Sequence, residues 1–258
     1  MLMSHDVLGS GPPLLLLHSG VCDRRMWRPQ VQELMGAHRV ISPDLPGFGE
    51  TPLQPGAFSF VAEIVEMLDL LGVERAFVVG SSFGGRVAMD VAAAEPERVL
   101  GLLLLCPAYA GLTPTPTPAA ERFDSEETRL LETGDVDAAV ELNVDTWLGP
   151  DAEPATAALV REMQRRVFAV QLPADEWPDP PESTDTDADL SAITAPTLVV
   201  SGDLDMDHFR AIAEHVVDEI EHARLVRLPW AGHLPSLERP DEVTSLIERF
   251  IHELGFLA

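Results

Sequence analysis

Two rhythms of apolar residues alternate along the chain. One is the short apolar run: LLLL at 14–17, HRVIS at 38–42, RAFVVG at 75–80, VLGLLLL at 99–105, TLVVS at 197–201 and RLVRL at 224–228. Runs of this length bounded by turn formers predict strands, buried on both faces where the run is continuous. The other rhythm is helical. Val61, Ile64, Val65, Leu68 and Leu71 recur every three or four positions, with Ser59 placed to cap the start and Gly72 to stop the end. Helices are expected likewise over 84–94, 207–219 and 240–253. Strands alternating with helices predict parallel βαβ units, so the fold class is α/β, a mostly parallel central sheet flanked by helices.

The rhythm breaks at TPTPTP, 113–118, where proline at every second position holds an extended path. From 119 to about 172 only helical spacing occurs, and PADEWPDPPESTDTDADL, 173–190, is irregular again. The chain therefore divides into an α/β core, 1–112 and 191–258, and a helical cap (lid), 113–190, with proline-rich hinges. No internal repeat is present.

Composition narrows the classes of function. The chain has 258 residues and a net charge of −26, from 43 acidic residues against 17 basic ones, all arginine. Such a field repels phosphate backbones and anionic lipid, so nucleic acid and membrane are not expected partners. The plain meaning of the charge is solubility; adaptation to high salt is the sharper one. No apolar run approaches the roughly 18 residues of a membrane span. The N-terminus lacks a basic region followed by an apolar stretch, so a cytoplasmic protein is expected, as monomer or homodimer. Cys22 and Cys106 form neither a disulfide framework nor a metal spacing and are read as small buried apolar residues.

The chemistry centres on Gly80-Ser81-Ser82-Phe83-Gly84, between an expected strand and an expected helix. A serine in so tight a turn is held strained, with its hydroxyl above the sheet, and its neighbours must lack side chains. A nucleotide-binding turn is disfavoured, because G-x-G-x-x-G is not satisfied. A serine hydroxyl is a poor nucleophile at neutral pH and needs a base oriented by an acid. The loops after the last two strands supply both. Gly202-Asp203-Leu204-Asp205 follows TLVVS, and Pro229-Trp230-Ala231-Gly232-His233 follows RLVRL. His233 is the candidate base; Asp203, Asp205 and Asp207 are all candidate acids.

These segments together resemble the α/β-hydrolase fold family, in particular its esterases, enol-lactonases and C–C hydrolases. LLLLHSG (14–20) resembles the strand and oxyanion loop, DLPGFGE (44–50) the D-x-x-G-x-G-x-S segment, and GSSFGG (80–85) the nucleophile elbow. GDLD (202–205) resembles the acid loop and AGHLPSLERP (231–240) the G-H-x-x-x-x-E-x-P ending. Two positions depart from the pattern: Ser19 stands where glycine is usual, and Glu50 where serine is common. The order Ser, Asp, His is the family's own.

The resemblance implies roles. Ser82 is the nucleophile, His233 the general base and then acid, and Asp205, favoured over Asp203 by the family's G-x-x-D spacing, the orienting acid. The N–H groups of Gly20 and Phe83 are expected to form the oxyanion hole. Asp44 is expected to satisfy N–H groups of its own turn. Trp27 and Trp147 are candidate walls of the substrate pocket. The expected function is a serine hydrolase that cleaves a small, fairly apolar ester or lactone through an acyl-enzyme, without metal or organic cofactor. The alternatives are a C–C bond hydrolase of diketone-type ring-cleavage products and a non-hydrolytic ligand-binding protein on the same scaffold. Haloalkane and epoxide chemistry is set aside, because those relatives carry aspartate where this chain has Ser82.

Overall fold

The structure is a computed structural model that describes residues 3–112 and 117–255. The chain begins with β1 (His5–Leu8) and β2 (Pro13–Leu17), passes a 3-10 turn at Arg24–Trp27 and α1 (Arg28–Leu34), and returns in β3 (Arg39–Pro43). A two-residue β4 (Ala57–Phe58) precedes α2 (Phe60–Leu70), β5 (Ala76–Ser81), α3 (Phe83–Ala94) and β6 (Val99–Leu105). Then come α4 (Pro118–Glu132), α5 (Val136–Trp147) and α6 (Pro154–Ala174). The chain closes with β7 (Glu182–Ser183), β8 (Thr197–Gly202), α7 (Asp207–Glu219), β9 (Arg224–Leu228), α8 (Pro235–Glu238) and α9 (Pro240–Glu253).

Seven strands form one sheet in the order β1-β3-β2-β5-β6-β8-β9. Every neighbouring pair is parallel except β1 with β3. The apolar runs explain the layers. Successive residues of a strand face opposite sides. Leu15, Leu17, Val78, Leu102, Leu104 and Val199 therefore pack under α2, α3 and α7. Leu14, Leu16, Phe77, Val79, Leu103 and Val200 pack on the other side under α1 and α9, continuous with apolar residues of α5 and α6. Ser59 caps α2, its Oγ accepting the Ala62 N–H at 3.0 Å. Among the described residues no helix is long and apolar enough to cross a membrane.

The structure adds elements that the apolar rhythm does not announce. β1 is a short edge strand of alternating half-buried and exposed residues. The irregular stretch 173–190 contains β7, which pairs with β4 in a small parallel ladder. Of the first hinge, residues 113–116 lie outside the described residues; Thr117 caps α4.

Strand order fixes where a site can form. From β2 the chain runs to β3 on one side, then crosses to β5 on the other. The C-terminal ends of β2 and β5 thus flank a topological switch point, where open α/β sheets bind ligands. Leu17 of β2 is in register with Gly80 of β5. The loop that starts at His18 and the turn at Ser82 are therefore neighbours.

The segment returning from α6 is pinned to α2 and α3. Asp185 accepts the Phe60 N–H at 2.6 Å, Asp90 accepts the Ala188 N–H at 3.1 Å, and the Tyr109 hydroxyl donates to the Ala188 carbonyl at 2.9 Å. Burial pushes the Asp90 carboxyl up to about 7, opposed by Arg86 and reinforced by Asp185. A carboxyl raised in the folded state adds stability that is full below the unfolded value near 3.9 and is lost as pH rises through about 7. Asp90→Asn keeps an oxygen for Ala188 and removes the ionisation. Urea titrations of both proteins should show the native chain losing stability relative to the variant between about pH 4 and about pH 7. Parallel pH profiles would refute this account.

Candidate active site

The turn between β5 and α3 is made possible by two close approaches. A Cβ on Gly80 would lie 2.4 Å from the Gly84 carbonyl oxygen, and one on Gly84 would lie 2.3 Å from the Leu17 oxygen. Both contacts are with backbone, which cannot swing aside. Between these glycines Ser82 adopts φ 51°, ψ −113°, a region costly for a residue with a side chain. Its backbone is held on three sides. The Ser82 N–H donates to Leu105 at 2.9 Å, and its carbonyl accepts from Arg86 and Ala108, each at 3.0 Å. The hydroxyl caps no N–H of α3 and is left free to point elsewhere.

It points at His233. The Ser82 hydroxyl donates to His233 Nε2 at 2.7 Å, and His233 Nδ1–H donates to Asp205 Oδ2 at 2.8 Å. These proton positions follow from Asp205, a carboxylate that accepts only. The second oxygen of Asp205 accepts the Met206 N–H at 2.7 Å. Ser82, Asp205 and His233 are 7%, 8% and 3% exposed, so the chain of bonds is shielded from water. Among the three candidate acids only Asp205 reaches the imidazole. Asp203 gives its carbonyl to Arg210, and Asp207 pairs with Arg210 through its carboxylate.

Gly20 lies against Phe83: a Cβ built on Gly20 would be 3.4 Å from Phe83 Cβ, an ordinary contact. Neither the Gly20 nor the Phe83 N–H has a protein acceptor among the described residues. The Ser19 N–H is taken by Met26 Sδ at 3.3 Å, and its carbonyl accepts from Cys22 and bonds His18 Nδ1. His18 Nε2 accepts the Leu45 N–H at 3.0 Å, and burial holds its pKa low, so it is a neutral brace of this loop. Asp44 is fully buried and accepts the N–H groups of Arg24 and Glu50, each at 2.8 Å, besides pairing with the Arg24 guanidinium.

The two tryptophans part company. Trp147 lies 4.9 Å from the His233 ring, with Phe209 at 4.1 Å on the same imidazole. Trp27 is fully buried in the core cluster with Met26, Val31 and Leu34, and no ring contact joins it to the triad. Phe83 is packed by Phe48 and Phe60. Two larger clefts have no triad residue in their walls. One, between α4, α5 and Met206, is lined by Phe123, Leu142 and Thr146; Phe123 meets Trp147 edge-on at 4.8 Å. Another is charged, lined by Arg24, Arg25, Arg28, Arg165 and Arg166 among acids, and has no triad residue in its wall.

One functional residue was visible in the sequence only as a letter of a motif. Glu238 accepts the Gly232 N–H at 2.9 Å and the Leu234 N–H at 3.2 Å, bracketing His233 on both sides. Burial pushes its pKa up, against the pull of those N–H groups. The His233 N–H itself donates to the Trp147 carbonyl at 3.1 Å. The loop that carries His233 is thus fixed by α8 below it and by the end of α5 beside it. Cys106, buried and unoxidised, donates to the Gly232 carbonyl at 3.7 Å, and burial with Asp205 nearby pushes its thiol pKa well up.

Three comparisons bear on this arrangement. The profile of the family described as "Alpha/beta hydrolase family" matches residues 14–246. A 2-hydroxymuconate semialdehyde hydrolase of Pseudomonas sp. (strain CF600) is 32% identical over 267 residues, covering 96% of this chain and 89% of its own. An esterase of Thermogutta terrifontis superposes with a TM-score of 0.77 at 28% identity, over 98% of this chain and 93% of its own. Est816, an N-acyl homoserine lactone degrading enzyme, superposes with a TM-score of 0.76 at 26% identity, over 96% of each chain.

Removing the Glu238 carboxylate leaves two buried N–H groups beside His233 without an acceptor, at about 1–3 kcal/mol each. Glu238→Ala should therefore lower the unfolding free energy by about 2–6 kcal/mol, read from urea midpoints. Glu238→Gln, with one acceptor for two donors, should recover only part. An alanine variant as stable as the native chain would contradict this role.

Proposed function

This chain belongs to the alpha/beta hydrolase family, and on that premise we propose that it cleaves a small, fairly apolar carboxylic ester or lactone through an acyl-enzyme on Ser82. The observation that carries the proposal is the unbroken line from Ser82 Oγ to His233 Nε2, 2.7 Å, and from His233 Nδ1 to Asp205, 2.8 Å. In this reading Ser82 Oγ attacks the carbonyl carbon while its proton passes to Nε2. Asp205 holds the imidazole in the one tautomer that can accept that proton and steadies the imidazolium formed. The oxyanion takes hydrogen bonds from the N–H groups of Gly20 and Phe83, and the partial positive end of α3 adds to them. The tetrahedral species collapses, and Nε2 returns the proton to the departing alkoxide. Water then repeats the sequence on the acyl-enzyme, giving its proton to Nε2; the acid leaves, and Ser82 recovers its hydrogen. No step calls for a metal or an organic cofactor.

The surroundings favour an uncharged, apolar substrate. The rings in contact with His233 are Trp147 and Phe209, and those in contact with Phe83 are Phe48 and Phe60. Trp147 is the natural wall residue; Trp27, enclosed in the core, acts at most through packing. Residues 113–190 would serve as the cap, with Trp147 as its point of contact with the catalytic base. A second reading has one specific support, the likeness over most of the chain to the semialdehyde hydrolase. C–C bond hydrolysis would use the same triad. The intact triad speaks against a purely binding role.

Incubation with a small fluorophosphonate should add one probe mass to the native chain and none to Ser82→Ala. Turnover of short p-nitrophenyl esters should fall on the order of 10⁴-fold or more in Ser82→Ala. Lactones and a vinylogous diketone assayed alongside separate the two readings: ester or lactone turnover well above diketone turnover supports the first, the reverse the second. An unlabelled native chain without turnover would overturn both.

A further inference from the structure

Cys106 takes no part in the proposed reaction, yet it lies against the machinery. β6 ends at Leu105, whose carbonyl holds Ser82. The next residue, Cys106, has φ 45°, a left-handed conformation that it shares with only Ser82 and His222 among the described residues other than glycine. Its thiol comes to rest beneath the His233 loop, 3.7 Å from the Gly232 carbonyl. One result is a three-residue constellation unique among the described residues. Cys106 Sγ, a carboxylate oxygen of Asp205 and a ring nitrogen of His233 all lie within 4.8 Å of one another, each residue buried. The nitrogen on this side is Nδ1, because Nε2 faces Ser82.

We infer that Cys106, Asp205 and His233 form a binding site for one thiophilic divalent cation, of the Zn²⁺ or Cd²⁺ class, and that an ion there switches the active site off. The donor set decides the class of ion. One sulfur, one imidazole nitrogen and one carboxylate oxygen match zinc, with bonds of about 2.3, 2.0–2.1 and 2.0–2.2 Å. Around a tetrahedral ion such donors lie about 3.4–3.6 Å apart, so the widest of these separations, within 4.8 Å, must close by up to about 1.2 Å. Mg²⁺ and Ca²⁺ need six or more oxygens and find one here.

The proton balance explains the inhibition. Coordination takes the thiol proton, which leaves to solvent. It also takes the Nδ1 position that a proton now occupies, and that proton moves to Nε2. The imidazole stays neutral but presents N–H to Ser82 where it formerly presented a lone pair. Ser82 then has no base. The loss of turnover rests on the serine-hydrolase reading; the binding of the ion does not.

The test uses the full chain freed of metal by chelation. Titration with Cd²⁺ should raise a thiolate-to-cadmium charge-transfer band that saturates at one ion per chain. The band should appear also in Cys22→Ser and be absent from Cys106→Ser, which keeps the side chain's size. Zn²⁺ should lower p-nitrophenyl acetate turnover of the native chain at least tenfold, reversibly with EDTA, while Cys106→Ser retains its activity in Zn²⁺ and excess Mg²⁺ leaves both unchanged. Should Cys106→Ser not fold, His233→Gln and Asp205→Asn are each expected to weaken Cd²⁺ binding at least about tenfold. A band that persists in Cys106→Ser, no band in the native chain, or equal inhibition of native and variant by Zn²⁺ overturns the proposal. A cadmium band in a native chain that hydrolyses nothing would leave the cation site standing and sink the hydrolase reading alone.

Discussion

The contact on which the rest of the site depends is between two pieces of backbone. Gly84, in the first turn of α3, lies so close to the end of β2 that a single added carbon would sit 2.3 Å from the Leu17 oxygen. That closeness brings the start of α3, the turn at Ser82 and the loop at His18 into one small volume. It also forces Ser82 into positive φ, a conformation that costs of order 1–3 kcal/mol. Hydrogen bonds to Leu105, Arg86 and Ala108 hold it there. The strain is local and the support comes from β6 and α3, which is how a sheet edge can present a hydroxyl that no cap or turn consumes.

The other two members of the triad arrive from far along the chain and depend on the same sheet. β8 and β9 are in register through Gly202 and Leu228, so the loops after them leave the sheet at the same level. Gly202 is tight against the carbonyls of Ala231 and Gly232, which draws the two loops together. Glu238 then fixes the His233 loop from below, and the Trp147 carbonyl fixes it from the side. The imidazole therefore answers to three separate elements: the Asp205 loop, α8 and the end of α5. Any displacement of α5 is felt by His233 directly, through one hydrogen bond and one ring contact.

Much of this was legible in the sequence because physics writes it locally. Central parallel strands must be apolar on both faces, so β2, β5, β6 and β8 stand out as runs. Ser82 and His233 stand out in glycine-rich turns placed just after such runs, whereas Asp203, Asp205 and Asp207 were alike by position and only the family resemblance favoured Asp205. What escaped was non-local. β1 is half-exposed and antiparallel, with four residues of weak alternation. β4 and β7 pair over only two residues each, from segments more than a hundred positions apart. A lone tryptophan carries no mark of which wall it faces, so Trp27 and Trp147 were alike in sequence and differ in the fold. Cys106 read as an ordinary buried thiol, since nothing local tells that β6 ends beside the loops of Asp205 and His233.

The helices between β6 and β8 are held to the remainder by two kinds of force. At α6 buried Val167 joins the core cluster, and beside it run polar, partly exposed ties. Arg25 pairs with Glu162, Arg166 donates to the Gly49 carbonyl at 2.9 Å, and Gln171 donates to that of Gly47 at 3.3 Å. Glu162 is 68% exposed, and pairs of that kind contribute at most about 1 kcal/mol and weaken with salt. At α5 the tie is buried: Trp147 packed on His233 and Phe209, with its Nε1–H donating to Asn143 at 2.8 Å. Salt barely reaches such a contact. Arg25 and Arg166 thus tie α6 to the core loops, whereas the surroundings of His233 are the rings of Trp147 and Phe209. The charge of the protein and the apolarity of its site are in this way separate features. One adds exposed ion pairs at α6; the other surrounds His233 and Phe83 with rings.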